Sequence, residues 1–186
     1  MDECPSVEKA AAIGFPIIVA VVSALFALSY FISALLGLPT RLELPVAVDL
    51  AGVALVLTGL AMMGWTFWNR SPANVIVSTY ITLSKLFRRT PISDGSGRLE
   101  PLVISGPQRY TRNPLYLGII VMVFGWAVVG GYVFVFVAAL VLLAWFGLFL
   151  IPFEERELAV LFGEKWHTYA LETPMLIPFT KRKKIS

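Results

Sequence analysis

Residues 112–155 have the sequence RNPLYLGIIVMVFGWAVVGGYVFVFVAALVLLAWFGLFLIPFEE, in which no charged side chain lies between Arg112 and Glu154. One membrane-spanning helix needs about 20 apolar residues, so this stretch is long enough for two. Its only turn signal is Gly130-Gly131. With a helical rise of about 1.5 Å per residue, the arm before the turn spans roughly 25 Å and the arm after it roughly 35 Å. The stretch therefore predicts a helical hairpin whose two polar ends return to the same membrane face.

The rest of the chain also has the composition of a membrane protein. Of its 186 residues, 58% are hydrophobic and 15% are charged, which is far too apolar for a soluble domain. The first apolar run follows no basic segment and is too long for a signal peptide, so it predicts a true span. We therefore expect an all-α integral membrane protein that forms one domain over residues 1–186, with spans near residues 12–37, 49–69, 114–130 and 132–153.

Basic residues concentrate in two segments of the chain. Residues 70–112 carry seven and the tail, residues 154–186, carries six, whereas the loop after the first span has only Arg41 and the Gly-Gly turn has none. The positive-inside rule places both basic segments in the cytoplasm. With four spans, the amino and carboxyl termini are then both predicted to be cytoplasmic.

Two further segments predict amphipathic helices that lie along the membrane or the helix bundle. Residues 71–89 begin with the helix-start signal Ser71-Pro72 and favour an interfacial helix, the alternative being an extension of the second span. A Gly-, Pro- and Ser-rich loop follows, up to residue 112. Residues 154–172 predict a cytoplasmic helix with a break at Gly163. The apolar stripes of the two helices are Ile76, Tyr80, Leu83 and Phe87, and Leu158, Leu161, Phe162, Trp166 and Tyr169.

Polar residues cluster where the third span begins. Asn113 and Pro114 form the pattern of a helix N-cap followed by a first-turn proline. The free N–H groups and the positive dipole end of such a helix favour an anion, and Arg109 and Arg112 add positive charge. Arginine and tyrosine are also common at membrane interfaces, so an ordinary membrane boundary is the simpler interpretation.

Two adjacent carboxylates, Glu154 and Glu155, stand where the hairpin leaves the membrane. The hairpin is expected to bring them beside the anion-attracting start of the third span. Such a pairing suits a zwitterion, or a cation that also carries hydroxyl groups, because carboxylates accept hydrogen bonds from both. In the alternative interpretation, the glutamates are helix-end charges paired with nearby arginines.

Two motifs flank the uncharged hairpin: SGPQRYTRNPLYLG at residues 105–118 and FEERELAVLFGEKWHTYALETPMLIPF at residues 153–179. Their order and spacing resemble the superfamily of isoprenylcysteine carboxyl methyltransferases and phospholipid N-methyltransferases. The resemblance covers residues 103–179, under half of the chain. Asn113 stands where the carboxyl methyltransferases have histidine, and Gln108, Trp166 and Met175 also depart from the usual pattern. These differences bear on the methyl acceptor more than on the cofactor.

The resemblance implies S-adenosylmethionine as cofactor and methyl transfer to a lipophilic acceptor, such as a prenylated cysteine carboxylate or an aminolipid, at the cytoplasmic membrane face. Phe162 and Gly163 would form a lid over the cofactor together with two aromatic residues of the tail. Carried over motif by motif, the predicted cofactor contacts are Arg112, Asn113, Pro114, Tyr116, Gly118, Glu154, Glu155, Trp166 and Tyr169.

Arg109 and Glu155 are the predicted catalytic residues. Arg109 would hold an acidic headgroup of the acceptor. An amine acceptor must lose a proton, which Glu155, Glu154 or water would take, whereas a carboxylate acceptor needs no base. His167, the only histidine, is a weaker candidate for the base.

Two other functions are compatible with the same motifs. Membrane sterol and enone reductases carry a similar pattern and use NADPH, and a non-catalytic lipid-binding protein could keep the fold. In every case the expected partners are the lipid bilayer and a membrane lipid or lipophilic small molecule, with the oligomeric state left open. The basic residues follow the topology, so no nucleic-acid partner is expected. Cys4 and His167, the only cysteine and histidine, predict neither a disulfide within the chain nor a metal site.

Overall fold

The computed structural model describes residues 7–88 and 101–180, and all regular structure there is helical, which confirms the predicted all-α class. Residues 89–100, which belong to the predicted loop, and residues 1–6 and 181–186 lie outside the described residues. In chain order the elements are α1 (Val7–Leu35), α2 (Val46–Asn69), α3 (Pro72–Arg88), a 3-10 turn (Gly106–Arg109), α4 (Pro114–Gly130), α5 (Val133–Trp145), a π-helical turn (Phe146–Leu150), α6 (Ile151–Phe162) and α7 (Glu164–Glu172).

Three stretches of helix are long and apolar enough to cross a membrane. They are Phe15–Leu35 in α1, Val46–Asn69, which is α2, and Val133–Phe162, which runs through α5, the π-helical turn and α6. The fourth apolar helix, α4, is shorter at 17 residues. The fold is therefore that of an all-α membrane protein. The side of the membrane on which each terminus lies stays a prediction.

The turn between α4 and α5 depends on a glycine. Gly131 ends α4 with a φ of 61°, in the left-handed region, and its N–H donates to the carbonyl of Val128. The carbonyl of Gly131 accepts from the N–H of Leu42 at 2.8 Å. A Cβ at position 131 would lie 2.2 Å from the carbonyl oxygen of Leu42. The Gly-Gly signal thus makes the tight hairpin and also joins it to the loop between α1 and α2.

The second arm of the hairpin runs directly into the predicted carboxyl-terminal helix. The sequence predicts a span that ends near residue 153 and a cytoplasmic helix that follows it, and in the structure the winding continues past Glu154 and Glu155 to Phe162. Pro152 does not end it, because the residue four positions earlier, Leu148, lies in the π-helical turn, where the wider winding relieves the usual proline clash. The expected break occurs at Gly163, which has φ 53° and ψ −127°.

Helices α2 and α4 pack closely through glycines spaced seven residues apart on each helix. A Cβ at Gly59 would lie 2.6 Å from the carbonyl oxygen of Gly118, and a Cβ at Gly125 would lie 2.8 Å from that of Gly52. Small residues let two helix backbones approach in this way, which is how membrane helices gain packing energy in lipid. Helix α2 therefore supports α4 and, with it, the start of α4.

Helix α3 is separate from α2. Arg70, which follows α2, has an extended backbone, and α3 begins at Pro72, as Ser71-Pro72 predicts. The helix packs against α1. Tyr80 of the predicted apolar stripe is half-buried and packs against its neighbours Val77 and Ile81. The side chains of the other stripe members, Ile76, Leu83 and Phe87, lie outside the described residues.

We predict that Gly59→Ala destabilises the protein by about 1–3 kcal/mol, the usual cost of overpacking a tight contact. The added methyl group would meet backbone atoms of α4, which cannot rotate away. Gly64→Ala is the matched control, because Gly64 lies in the same helix with no atom within 4 Å of a built Cβ. Thermal unfolding in detergent measures both variants. Equal melting temperatures for the two variants would contradict the proposed close packing.

Candidate active site

Asn113 occupies the N-cap position of α4, but its side chain does not cap the helix. Its amide nitrogen Nδ2 instead donates to the carbonyl of Met175 at 2.9 Å and, more weakly, to Glu155 Oε1 at 3.5 Å. The predicted position is thus observed and the predicted capping bond is not. Since Asn113 turns toward the carboxyl-terminal segment, it leaves the first-turn N–H groups of α4 without a side-chain cap.

Arg112 is the most buried charged group at this helix start. Its side chain is 2% exposed, and Nη2 lies 3.2 Å from Glu155 Oε1. The guanidinium carbon lies 5.6 Å from the centre of the Trp166 ring, in cation–π geometry. Its backbone N–H donates to the carbonyl of Pro174 at 3.0 Å. A buried guanidinium needs such a carboxylate beside it, because burying a lone charge is strongly unfavourable.

The second carboxylate meets α4 one turn further along. The hydroxyl of Tyr116 donates to Glu154 Oε1 at 2.8 Å, while its ring packs on Phe146 with 4.8 Å between centroids. Both glutamates are half-buried. The hairpin therefore brings Glu154 and Glu155 to the start of α4, where they contact Arg112, Asn113 and Tyr116 and lie near the buried Pro114.

Trp166 and Tyr169, on α7, cover Arg112. Trp166 is 4% exposed and meets Tyr169 edge-on, with 5.6 Å between ring centroids. The Tyr169 hydroxyl donates to the backbone carbonyl of Gln108 at 2.7 Å. Burial raises the pKa of Tyr169 to about 12, although the positive charge of Arg112 acts in the opposite direction. The tail aromatics are thus packed against the site that the sequence assigns to them.

Three predicted residues are not part of this cluster. Gly118 faces α2, where a Cβ would lie 2.9 Å from Met63 Cγ, so helix packing accounts for the glycine. Arg109 is exposed at the end of the 3-10 turn, and its side chain forms no hydrogen bond or ion pair within residues 7–88 and 101–180. His167 is also exposed.

Two buried polar side chains were missed from the sequence. Glu157 is 1% exposed, and its Oε1 lies 2.5 Å from Lys85 Nζ of α3. The sequence carries a signal for Glu157, because it follows Glu154 by about one helical turn and therefore lies on the same inward-packing face of the helix. Gln108 is 4% exposed, and neither atom of its side-chain amide has a hydrogen-bond partner among the described residues. Such an unsatisfied buried amide calls for an explanation, and a polar ligand is one.

The fold and the side-chain contacts define an all-α membrane protein with a cluster of polar and charged side chains at one end of a helical hairpin. A family model described as Phospholipid methyltransferase matches residues 52–165, well over half of the chain. The protein belongs to this phospholipid methyltransferase family, which confirms the resemblance found in the motifs. The match includes both glutamates and the start of α4, and it ends just before Trp166. No curated protein and no solved structure matched the chain.

We predict that Lys85→Met lowers the free energy of unfolding by about 3–5 kcal/mol, because it removes the cation beside a buried carboxylate. The double variant Lys85→Met/Glu157→Met should recover most of that loss, since neither charge then remains buried. Chemical unfolding in detergent measures the coupling of the two changes. Additive losses would show that the two side chains act independently.

We predict that stability falls between about pH 10 and pH 12 and that Tyr169 accounts for the fall. Over this range the Tyr169 phenol loses its proton in the unfolded state and keeps it in the folded state. This difference stabilises the unfolded state relative to the folded state. Below about pH 10 the phenol is protonated in both states and has no such effect. Ultraviolet titration should show one late-titrating phenol that Tyr169→Phe removes. If that phenol persists in the variant, the assignment to Tyr169 is wrong.

Proposed function

We propose that the protein transfers a methyl group from S-adenosylmethionine to a lipid-type acceptor at the cytoplasmic face of the membrane. The family to which the chain belongs supports methyl transfer. The observation that carries the proposal is the pair of carboxylates at the start of α4, Glu154 bonded to Tyr116 and Glu155 beside Arg112 and Asn113.

The residues of the site fit the chemical groups of this cofactor. The cofactor carries an ammonium and two ribose hydroxyls, and two carboxylates can accept hydrogen bonds from these groups. It also carries a carboxylate, which suits a guanidinium and free helix N–H groups. Glu154, Glu155, Arg112 and the uncapped first turn of α4 supply these partners within one cluster. The unsatisfied amide of Gln108 offers both a donor and an acceptor close to Tyr169. The donor set therefore suits an amino-acid-bearing nucleoside.

When bound, S-adenosylmethionine supplies a methyl group on a sulfonium centre that is already reactive, so the protein mainly positions the reactants. Glu155 is held by Arg112 and Asn113, and Glu154 by Tyr116, so both carboxylates are fixed before any ligand arrives. Trp166 covers the buried guanidinium and limits the access of water to it.

The fate of the proton depends on the acceptor. An amine acceptor is an ammonium in water and must lose a proton before it can attack, and Glu154 or Glu155 would accept it. A carboxylate acceptor attacks without proton transfer. Arg109, which is exposed beside the site, would hold an anionic headgroup at the surface. The residues thus supply positioning and one proton acceptor.

The main competitor is an NADPH-dependent reductase of similar fold. The carboxylate pair alone does not separate the two functions, because those reductases carry a similar pattern of residues. The family match favours the methyltransferase. Binding of the two cofactors separates these functions directly.

We predict that Glu155→Gln weakens binding of S-adenosylhomocysteine about ten- to a hundredfold, the loss expected for one hydrogen bond to a charged group. Isothermal titration of the detergent-solubilised protein with S-adenosylmethionine, S-adenosylhomocysteine and NADPH measures it. Glu164→Gln is the matched control, because Glu164 is exposed at the start of α7. Tyr116→Phe removes the bond to Glu154 without altering any charge, and should weaken binding less. Unaltered affinity in Glu155→Gln, or binding of NADPH alone, would rule out this site.

A further inference from the structure

The side chain of Gln108 is buried without a hydrogen-bond partner. It is 4% exposed, and neither its amide nitrogen Nε2 nor its amide oxygen Oε1 forms a hydrogen bond within residues 7–88 and 101–180. A buried amide without partners costs free energy, because water satisfies both of its ends in the unfolded chain. Most buried polar groups in folded proteins do have a partner, so this amide calls for a hydrogen-bonding molecule beside it.

The backbone of Gln108 is held from two sides. Gln108 lies in the 3-10 turn Gly106–Arg109, where Gly106 has a φ of 62° and packs against the side chain of Asn69 at the end of α2. On the other side, the carbonyl of Gln108 accepts from the hydroxyl of Tyr169 at 2.7 Å. An amide on such a support is preorganised, which is what precise recognition of a ligand needs.

Gln108 adjoins the charged cluster at the start of α4. Tyr169, which binds the carbonyl of Gln108, meets Trp166 edge-on, and Trp166 covers Arg112. Burial raises the pKa of Tyr169 to about 12, and the charges of Arg112 and Glu155 also act on this phenol, so both charges lie near it. The amide without partners therefore belongs to the same region as the carboxylates of the candidate site.

The adenine ring is the part of the proposed cofactor that the charged residues do not match. Glu154 and Glu155 suit its ammonium and ribose hydroxyls, and Arg112 suits its carboxylate. Adenine instead carries a 6-amino donor flanked by ring nitrogens that accept, and a side-chain amide matches this pattern with one donor and one acceptor side by side. The amide nitrogen of Asn113 already donates to protein oxygens, whereas both ends of Gln108 lack a partner among the described residues.

We propose that the side-chain amide of Gln108 binds the 6-amino edge of adenine and makes the site specific for an adenine nucleoside. This inference rests on the function proposed above. Nε2 donates to a ring nitrogen of the base, and Oε1 accepts from its 6-amino group. Binding then gives the amide the partners that the described part of the protein does not, so it recovers free energy that burial of the amide costs. A base without the amino group recovers less, which is the origin of the specificity.

The amide is covered in this structure, and α7 is the element placed to uncover it. Both amide atoms are buried, and α7 is bonded to the same residue through Tyr169. Helix α7 joins α6 at Gly163, whose φ of 53° and ψ of −127° favour glycine, and a Cβ built there meets no atom within 4 Å. A glycine with open surroundings can absorb a change of backbone angle. Rotation at Gly163 would carry Tyr169 away from Gln108 and admit the base.

The test is a double-mutant cycle with one change in the protein and the other in the ligand. Isothermal titration of the full-length protein in detergent compares S-adenosylhomocysteine with its 6-deamino analogue, in which hydrogen replaces the amino group. We expect the parent protein to bind the analogue about ten- to a hundredfold more weakly, the loss for one hydrogen bond to a buried acceptor. Gln108→Met, which keeps a side chain of similar volume, should bind S-adenosylhomocysteine as weakly and should no longer distinguish the two ligands.

Two controls separate recognition from folding. Thr168→Val removes a hydroxyl at an exposed position of α7 next to Tyr169, and it should leave both affinities unchanged. Thermal unfolding without added ligand shows whether Gln108→Met is folded. We expect this variant to melt at least as high as the parent protein, because it loses a buried amide that has no partner among the described residues.

Two results would overturn the assignment of Gln108. They are equal affinities of the parent protein for the two ligands, and a difference between the ligands that persists in Gln108→Met. Either result would leave a buried water as the partner of the amide. Failure of the proposed function looks different, because the parent protein would then bind neither ligand and both inferences would fall together. Tight binding of both ligands by the parent protein would overturn the adenine contact alone.

Discussion

A guanidinium that is 2% exposed must have a carboxylate beside it, and the contact of 3.2 Å between Arg112 and Glu155 meets that need. The two residues stand at opposite ends of the hairpin, so the pair can form only if both arms return to the same height. The left-handed Gly131 and the uninterrupted winding through Pro152 satisfy this condition. The hairpin is thus the device that creates the site, and Trp166 then closes it over the buried charge.

Helix α2 holds the start of α4 in place. The glycine contacts between α2 and α4 leave no room for a sideways shift, because the nearest atoms across Gly59 and Gly125 belong to backbone. The 3-10 turn before α4 is docked on the same helix, since a Cβ on Gly106 would lie 2.5 Å from Asn69 Cγ. The donors at the start of α4 are therefore carried by a rigid pair of helices. Preorganised groups of this kind are what a positioning mechanism needs.

Local signals in the sequence predicted the helices and the meeting of Arg112 and Asn113 with the two glutamates at one end of the hairpin. The charge-free run predicted the hairpin, and Asn113-Pro114 predicted the start of α4. The Glu-Glu pair predicted the carboxylates that lie beside this helix start. The features that the sequence did not predict depend on contacts between distant segments. Lys85 and Glu157 are 72 residues apart in sequence, and no local pattern pairs them. The sequence also does not show which segment a glycine or an asparagine contacts. For this reason neither the packing of Gly118 on α2 nor the absence of a side-chain cap at the start of α4 could be predicted.

The direction of the Asn113 side chain connects the start of α4 to the carboxyl-terminal segment. A capping bond would have satisfied the helix and left the carboxyl-terminal segment unattached. Instead, Asn113, Thr111 and the N–H of Arg112 all donate to the carbonyls of Pro174 and Met175. These three hydrogen bonds therefore fix the carboxyl-terminal segment to the start of α4, beside Glu155. The first turn of α4 loses its side-chain cap, and the carboxyl-terminal segment gains its attachment to the helix.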